Sequence, residues 1–293
     1  MKEDRDESQS AGRNSLLLDK DFNDVSEMAE AHERVRMSAG YRAELLFLRR
    51  IVRDLIHSLR LCKFVASRWR EFHENYLLPR HIDELVEAAM TTQLAIENGA
   101  LNPARRELRY MLEVAVNMAY VDEVRGGDSY DDRTKYYRGK RVNKSNVDHI
   151  FELPLRLLGD HKASFAMAVR DAWVKGSNYV HLTKRRIDEK LYLRDQGISL
   201  GFETTEMLKD MVVDVHEVCS IVMILMFETI GPGFTGDVLL ELDSVDDWAF
   251  YASGYIALVD SYFDYKHERR EQATELVQRR KRRIRFPVAG VSI

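Results

Sequence analysis

Cysteine is nearly absent from this chain: Cys62 and Cys219 are the only two in 293 residues, and both lie inside apolar runs. They read as small buried hydrophobes, so a disulfide framework is not expected. Nor is a zinc centre, because His216 precedes Cys219 by three residues but no further Cys or His nearby completes a ligand set. Proline (5) and glycine (15) are scarce, which leaves few turn signals, while Leu, Ala, Glu, Arg and Met are plentiful and favour helix. Long apolar runs are missing too. The longest, 218–227, is too short to span a bilayer and is flanked by His216, Glu217 and Glu228. It reads as a core helix, and the charged, polar start of the chain does not resemble a signal peptide. A cytoplasmic protein without membrane contact is the expectation.

The nine histidines stand nowhere three or four residues apart. The sequence also lacks a glycine-rich phosphate loop, a His-Glu-x-x-His motif and a Gly-x-Ser-x-Gly elbow. No metal site and no cofactor is expected. The formal charge of −4 conceals a polarity: residues 266–285 hold nine Lys/Arg against three Glu. That basic end reads as a solvated helix face or as a surface for a protein or nucleic-acid partner.

What is present is helical pattern. Residues 1–26 form a flexible polar tail, and 27–293 a single all-α domain, a multi-helix bundle that opens on a long N-terminal helix. Within it, 27–100 make the long helix and a helical hairpin, 101–230 a core, and 237–285 a C-terminal helical segment. The long helix is predicted over 26–76, with a break near Gly40. Leu45, Leu48, Val52, Leu55, Leu59, Cys62, Ala66 and Trp69 make a seam close to coiled-coil period. That seam can pack within the monomer or against a second copy. Asn102-Pro103 reads as a cap and first-turn proline of a helix ending at Gly126-Gly127. Residues 127–144 read as a polar loop, Ser145 with Asp148 as a capping box, and 178–195 as a helix. A helix capped by Thr204 or Thr205 is expected to stop at Gly231-Pro232-Gly233. The segment 237–242 has a short strand-like alternation, and Ser244 with Asp247 reads as the cap of one aromatic helix that becomes basic toward Arg285.

Two polar stripes stand out from this packing pattern. Arg109, Glu113, Asn117 and Tyr120 project from one face of the helix after Pro103. They read as an Arg–Glu pair at a solvent edge or as a semi-buried polar row beside a site. In 173–185, a helix from Ser177 puts Asn178, His181 and Arg185 on one face with Lys184 adjoining. An imidazole there can exchange protons near neutrality, and the cations beside it attract phosphate. A backbone-bonded structural histidine is the alternative. In addition, Arg133, Lys135, Tyr136, Tyr137, Arg138, Lys140 and Arg141 interleave cations with aromatics, as phosphate-gripping, base-stacking segments do. A solvated loop is again the alternative.

The stretch from Arg105 to Tyr120 resembles a core helix of HEPN-like bacterial proteins, and Asn178-Tyr-Val-His181 the start of their histidine helix. The resemblance covers about residues 101–230. It implies a helical bundle, commonly a homodimer, that cleaves RNA without metal through the RNA's own 2′-hydroxyl, in stress, toxin–antitoxin or phage-defence settings. The family signature is Arg, four to six residues, then His; here Lys175 stands five residues before His181, a point charge in place of a planar fork. By resemblance His181 is the acid–base group, Lys175 the phosphate stabiliser, and Asn178 orients the histidine or the phosphate. Arg109, Glu113, Asn117 and Tyr120 form the facing polar wall. The Lys-for-Arg exchange leaves open an RNase or a non-cleaving RNA binder. A non-enzymatic helical scaffold, dimerising through the 45–69 seam and binding a partner at its basic end, is the competing expectation. A small-molecule sensor is a third.

Overall fold

The computed structural model describes residues 26–139, 142, 146–179, 187, 188, 191, 201 and 203–288. All but one residue of the 1–26 tail, the Ser145 cap and nearly all of the 178–195 helix lie outside them, as do Lys140, Arg141, His181, Lys184 and Arg185. The chain is an all-α multi-helix bundle. A single isolated bridge, Ser253 to Phe286, is the extended pairing found among the described residues.

The long N-terminal helix is two helices. The first, α1, covers residues 26–37. The break comes at Ser38 instead of Gly40, because Ser38 adopts extended backbone and its hydroxyl accepts from the Tyr41 amide (3.2 Å), capping α2, Ala39–Ala66. Helix α2 ends ten residues before Tyr76, in a turn at 67–69. Trp69 is therefore not part of the seam and is 59 % exposed. Two short helices follow, α3 (Arg70–Asn75) and α4 (Leu77–Arg80), then α5 (Ile82–Glu97).

Helix α6 spans Leu101–Val124. Its N-cap is Ala100, two residues earlier than the Asn102-Pro103 pattern predicts; the Asn102 side chain instead accepts from Arg105 Nη1 at 3.2 Å. The stretch expected to be a loop contains helix α7, Tyr130–Tyr137, capped by Ser129. It is polar by composition but tied to α6 from below, which pattern alone does not reveal. Two 3₁₀ turns, Asp148–Glu152 and Arg156–His161, lead into α8, Lys162–Ser177.

The axis of the bundle is α9, Thr205–Leu242. Thr204 caps it, its hydroxyl accepting from the Met207 amide at 3.2 Å. Every residue from 218 to 227 is buried, since α2, α4, α6 and α8 pack around this helix. Gly231 (φ 77°, ψ 170°) kinks α9 without ending it. The irregular backbone there releases the Phe227 carbonyl, and the Thr235 hydroxyl donates to it at 2.8 Å, so the helix resumes with that polar group satisfied. Residues 237–242 are consequently helical, not a strand.

The aromatic C-terminal segment is broken up rather than being one helix. It forms a 3₁₀ turn (Ala249–Ala252), α10 (Gly254–Ser261), α11 (His267–Arg270) and α12 (Ala273–Arg283). Ser253, not Ser244, provides the side-chain cap.

The α2 seam answers the packing question directly. Leu48, Val52, Leu55, Leu59, Cys62 and Ala66 are buried against α9 and its neighbours inside this one chain. The surface through which the scaffold reading would dimerise is thus already occupied. Among the described residues, no helix is long and apolar enough to cross a membrane.

Candidate functional site

Helices α6 and α8 approach closely because Gly176 has no side chain. A Cβ there would sit 3.0 Å from Arg109 Cβ and 3.2 Å from the Arg105 carbonyl. This contact places the C-terminal end of α8, and the chain entering residues 178–185, across the first turns of α6.

Around it the polar side chains are ordered by mutual contact. Arg109 Nε donates to Glu113 Oε1 (2.8 Å), and Trp173 Nε1 donates to the same oxygen (2.7 Å). The Arg109 guanidinium also lies over the Trp173 indole, 4.9 Å from its centroid. Neighbouring Arg105 covers the Tyr179 ring at 4.3 Å, and Arg106 Nε donates to the Tyr179 carbonyl at 3.0 Å. Lys175 is paired with Asp214 of α9 while its side chain remains 55 % exposed. Burial pushes the Asp214 carboxyl above its usual range, and Lys175 pulls it back. Arg105 Nε is buried and has no hydrogen-bond acceptor among the described residues.

Between these groups lies a cleft lined by Arg105, Lys175, Gly176, Asp214 and Glu217. Its volume is about 20 Å³, room for one water-sized group, so a larger anion would lie across its mouth. Asn178 is the C-cap residue of α8, beside this mouth in sequence, and its amide donates to the Val174 carbonyl.

The predicted polar wall is divided. Arg109 and Glu113 belong to the α6–α8 crossing, but the stripe runs on for about 16 Å of helix, beyond what α8 covers. Asn117 is buried, with Oδ1 lacking a hydrogen-bond partner among the described residues. Tyr120 belongs to a second cluster. It stacks on His149 (4.0 Å between centroids, 12° between planes), and its hydroxyl donates to Glu152 Oε2 at 3.2 Å. His149 Nδ1 contacts Glu152 Oε1 at 3.0 Å. Burial, with hydrogen bonds to Tyr136 and Glu152, pushes the Tyr120 phenol up to about 12, so it stays a neutral donor.

The α7 residues also separate. Arg133 is fully buried, not displayed for phosphate. Its Nη1 meets Asp122 Oδ1 at 3.0 Å, its Nε donates to the Asp128 carbonyl, and its guanidinium lies 4.1 Å from the Tyr76 centroid. Asp122 in turn accepts from the Leu77 and Leu78 amides (2.7 and 2.9 Å), capping α4. Tyr136 and Tyr137 pack on the core, leaving Lys135 and Arg138 facing solvent.

Asp214, Trp173, His149 and Glu152 were not expected at these sites. Glu152 follows His149 at i+3, a spacing visible in the sequence; Asp214 and Trp173 join only through tertiary packing. Among the described residues no group of three or more His, Cys, Asp or Glu side chains is arranged to hold a metal ion. No protein-family model, no curated protein and no solved structure matches the chain.

Proposed function

We propose that this is a HEPN-like protein that acts on RNA at the α6–α8 crossing, as a metal-independent endoribonuclease with His181 as its proton-transfer group. One observation supports the reading above others: Gly176 brings Arg105 and Arg109 of α6 beside Lys175, on the stretch of chain that leads into His181. Arg105 Nε has no hydrogen-bond acceptor among the described residues, and Lys175 is half in solvent, so a phosphodiester across the cleft mouth gains two cationic partners. In the reaction, the ribose 2′-hydroxyl attacks phosphorus and gives up its proton, the P–O5′ bond breaks, and the departing 5′-oxygen takes a proton. His181 serves these transfers in its neutral and protonated forms. Lys175 steadies the charge on the non-bridging oxygens, after exchanging Asp214 for phosphate.

The same ion pairs favour a second reading, an RNA binder without turnover. Lys175 is already neutralised by Asp214, and Arg109 by Glu113.

The test is incubation of the full chain with RNA and a chelator, scoring 2′,3′-cyclic phosphate ends. His181→Ala is expected to abolish them and Lys175→Ala to reduce them about a hundredfold or more, the scale of losing one charge-stabilising group. Equal cleavage by wild type and His181→Ala would sink the enzymatic reading. Binding without cleavage, weakened by Lys175→Ala, supports the second.

A further inference from the structure

The strongest unassigned surface feature lies on the outer face of α2. From residue 42 to 70 the sequence holds eight Lys/Arg and two acids, Glu44 and Asp54, in a chain whose formal charge is −4. Steps of three and four residues place Arg42, Arg49, Arg53, His57 and Arg60 on the side opposite the buried seam, and all five are exposed. Leu46 and Phe64 continue the same row at 61 % and 69 % exposure. Beyond the helix end, Trp69 rests edge-on against Phe72 with much of its surface in solvent.

These cations differ from those at the C-terminal end. There Arg269 and Arg280 are buried among Asp243, Asp260 and Asp264. On α2, the Arg60 and Lys63 side chains have no hydrogen bond or ion pair among the described residues. Arg49 and Arg50 make exposed pairs with Glu97 and Asp247, of the kind that exchange readily for phosphate. Arg53 pairs with Asp54, whose other oxygen accepts from the Ala249 amide, so part of that acid's charge is already spoken for inside the fold.

We infer that the outer face of α2 is a docking track for single-stranded RNA, with Arg42, Arg53 and Arg60 on its phosphates and Phe64 and Trp69 as stacking platforms for bases. The row from Arg42 to Phe64 is about 33 Å long, and its arginines, Arg42, Arg49, Arg53 and Arg60, recur along it every one or two helical turns, so that several phosphates of one strand can be met in line. Exposed aromatics at its end suit unpaired bases, which present a π-face to any ring. A uniformly charged face would fit any polyanion; the aromatics narrow the choice. The inference rests on the RNA reading for the choice of polymer, but the track is separate from the α6–α8 residues.

The probe is a fluorescein-labelled 2′-O-methyl oligouridylate of about 20 nucleotides, long enough to follow the track. It has no free 2′-hydroxyl along the chain, so its binding is read independently of cleavage. Anisotropy titration of the full chain is expected to show affinity falling steeply between about 50 and about 200 mM salt. Reversal of Arg42, Arg53 and Arg60 to Glu should weaken binding at least tenfold and flatten the salt slope. Phe64→Ala with Trp69→Ala should weaken it about tenfold with the slope retained. Lys281→Glu with Arg282→Glu, exposed in the C-terminal run, should change neither. All these side chains are exposed, so circular dichroism should match wild type. Unchanged affinity in the triple reversal overturns the track. So does equal affinity for a duplex of the same length, or binding to phosphatidylserine vesicles in place of the oligonucleotide that the same reversal removes. If cleavage depends on His181 while the α2 variants bind normally, the track fails and the proposed function stands.

Discussion

At the scale of single residues, burial and partner choice decide which charges are available. Arg133 and Arg138 look alike in the sequence, both in a run of cations and aromatics. One is sealed under Tyr76 against Asp122; the other is in solvent. Burial likewise pushes the Asp122 carboxyl up to about 6, against the opposing pull of the Leu77 and Leu78 amides and Arg133. Glu228 is the sharper case. It accepts from the Arg156 and Leu157 amides at 2.8 Å each, just after Leu155 takes a left-handed conformation (φ 44°), yet burial raises its carboxyl to about 7. The unfolded carboxyl ionises near 4.5, so between 4.5 and 7 the folded chain holds a proton that the unfolded chain has lost. This contribution to stability is full below that window and fades as pH rises through it. Urea unfolding from acidic to slightly alkaline pH should therefore show stability falling with pH in wild type, and a shallower fall in Glu228→Gln. An identical profile in the variant would assign the slope elsewhere, with Asp122 the next group to test.

At the scale of elements, packing against α9 determines the role of α2. Leu55 is fully buried in the seam, and its neighbours are in the same chain. Leu55→Ala should cost about 2–5 kcal/mol in denaturant unfolding, the usual range for a buried Leu truncation. Leu55→Asp should unfold the chain rather than convert a dimer into folded monomers. Light scattering that showed a well-folded, smaller species for Leu55→Asp would restore the intermolecular seam. The helix itself was legible from its apolar period and lack of proline. Its cap at Ser38 and its end at Ala66 were not, because several residues nearby fit a cap equally well and only tertiary contacts select one. The Gly231-Pro232-Gly233 break was misread for a related reason. A hydroxyl four residues on, from Thr235, satisfies the carbonyl that the kink exposes, so the helix survives its own stop signal.

At the scale of the whole molecule, charge distribution in sequence and in space disagree. The basic C-terminal run folds back on acids in and just after α9 and α10: Arg280 reaches Asp260 (2.5 Å) and Asp264, and Arg269 reaches Asp243 and Asp260. Lys266, Arg269, Arg279, Arg280 and Arg283 of this run are paired with acids, and Arg269 and Arg280 are buried, so part of its apparent positive field is neutralised. Asp260→Ala leaves two buried guanidinium groups short of a partner and should destabilise the chain by about 3–5 kcal/mol, the cost of breaking a buried pair from one side. Lys281→Glu should stay within about 0.5 kcal/mol, as exposed substitutions do. Comparable losses in both, measured by denaturant unfolding, would contradict the network. By contrast, the cations of α2 are presented outward along one line, though in the sequence they are interleaved with the apolar seam that masks them.

The sequence by itself determined that the chain is an all-α bundle with an apolar core segment at 218–227, because helical period and burial are local and repeat over many residues. It also marked Arg109 and Glu113 as part of one polar stripe, and Lys175 through the resemblance of its spacing to His181. Only the tertiary structure decided their partners: Trp173 for the first two, Asp214 for the third, and the α6–α8 contact through Gly176 that gathers them. Tyr120 shared their stripe yet joined His149 and Glu152 instead. A helix face is a property of spacing, whereas a site depends on which other elements cover that face, and their arrangement is set by the burial of the whole chain.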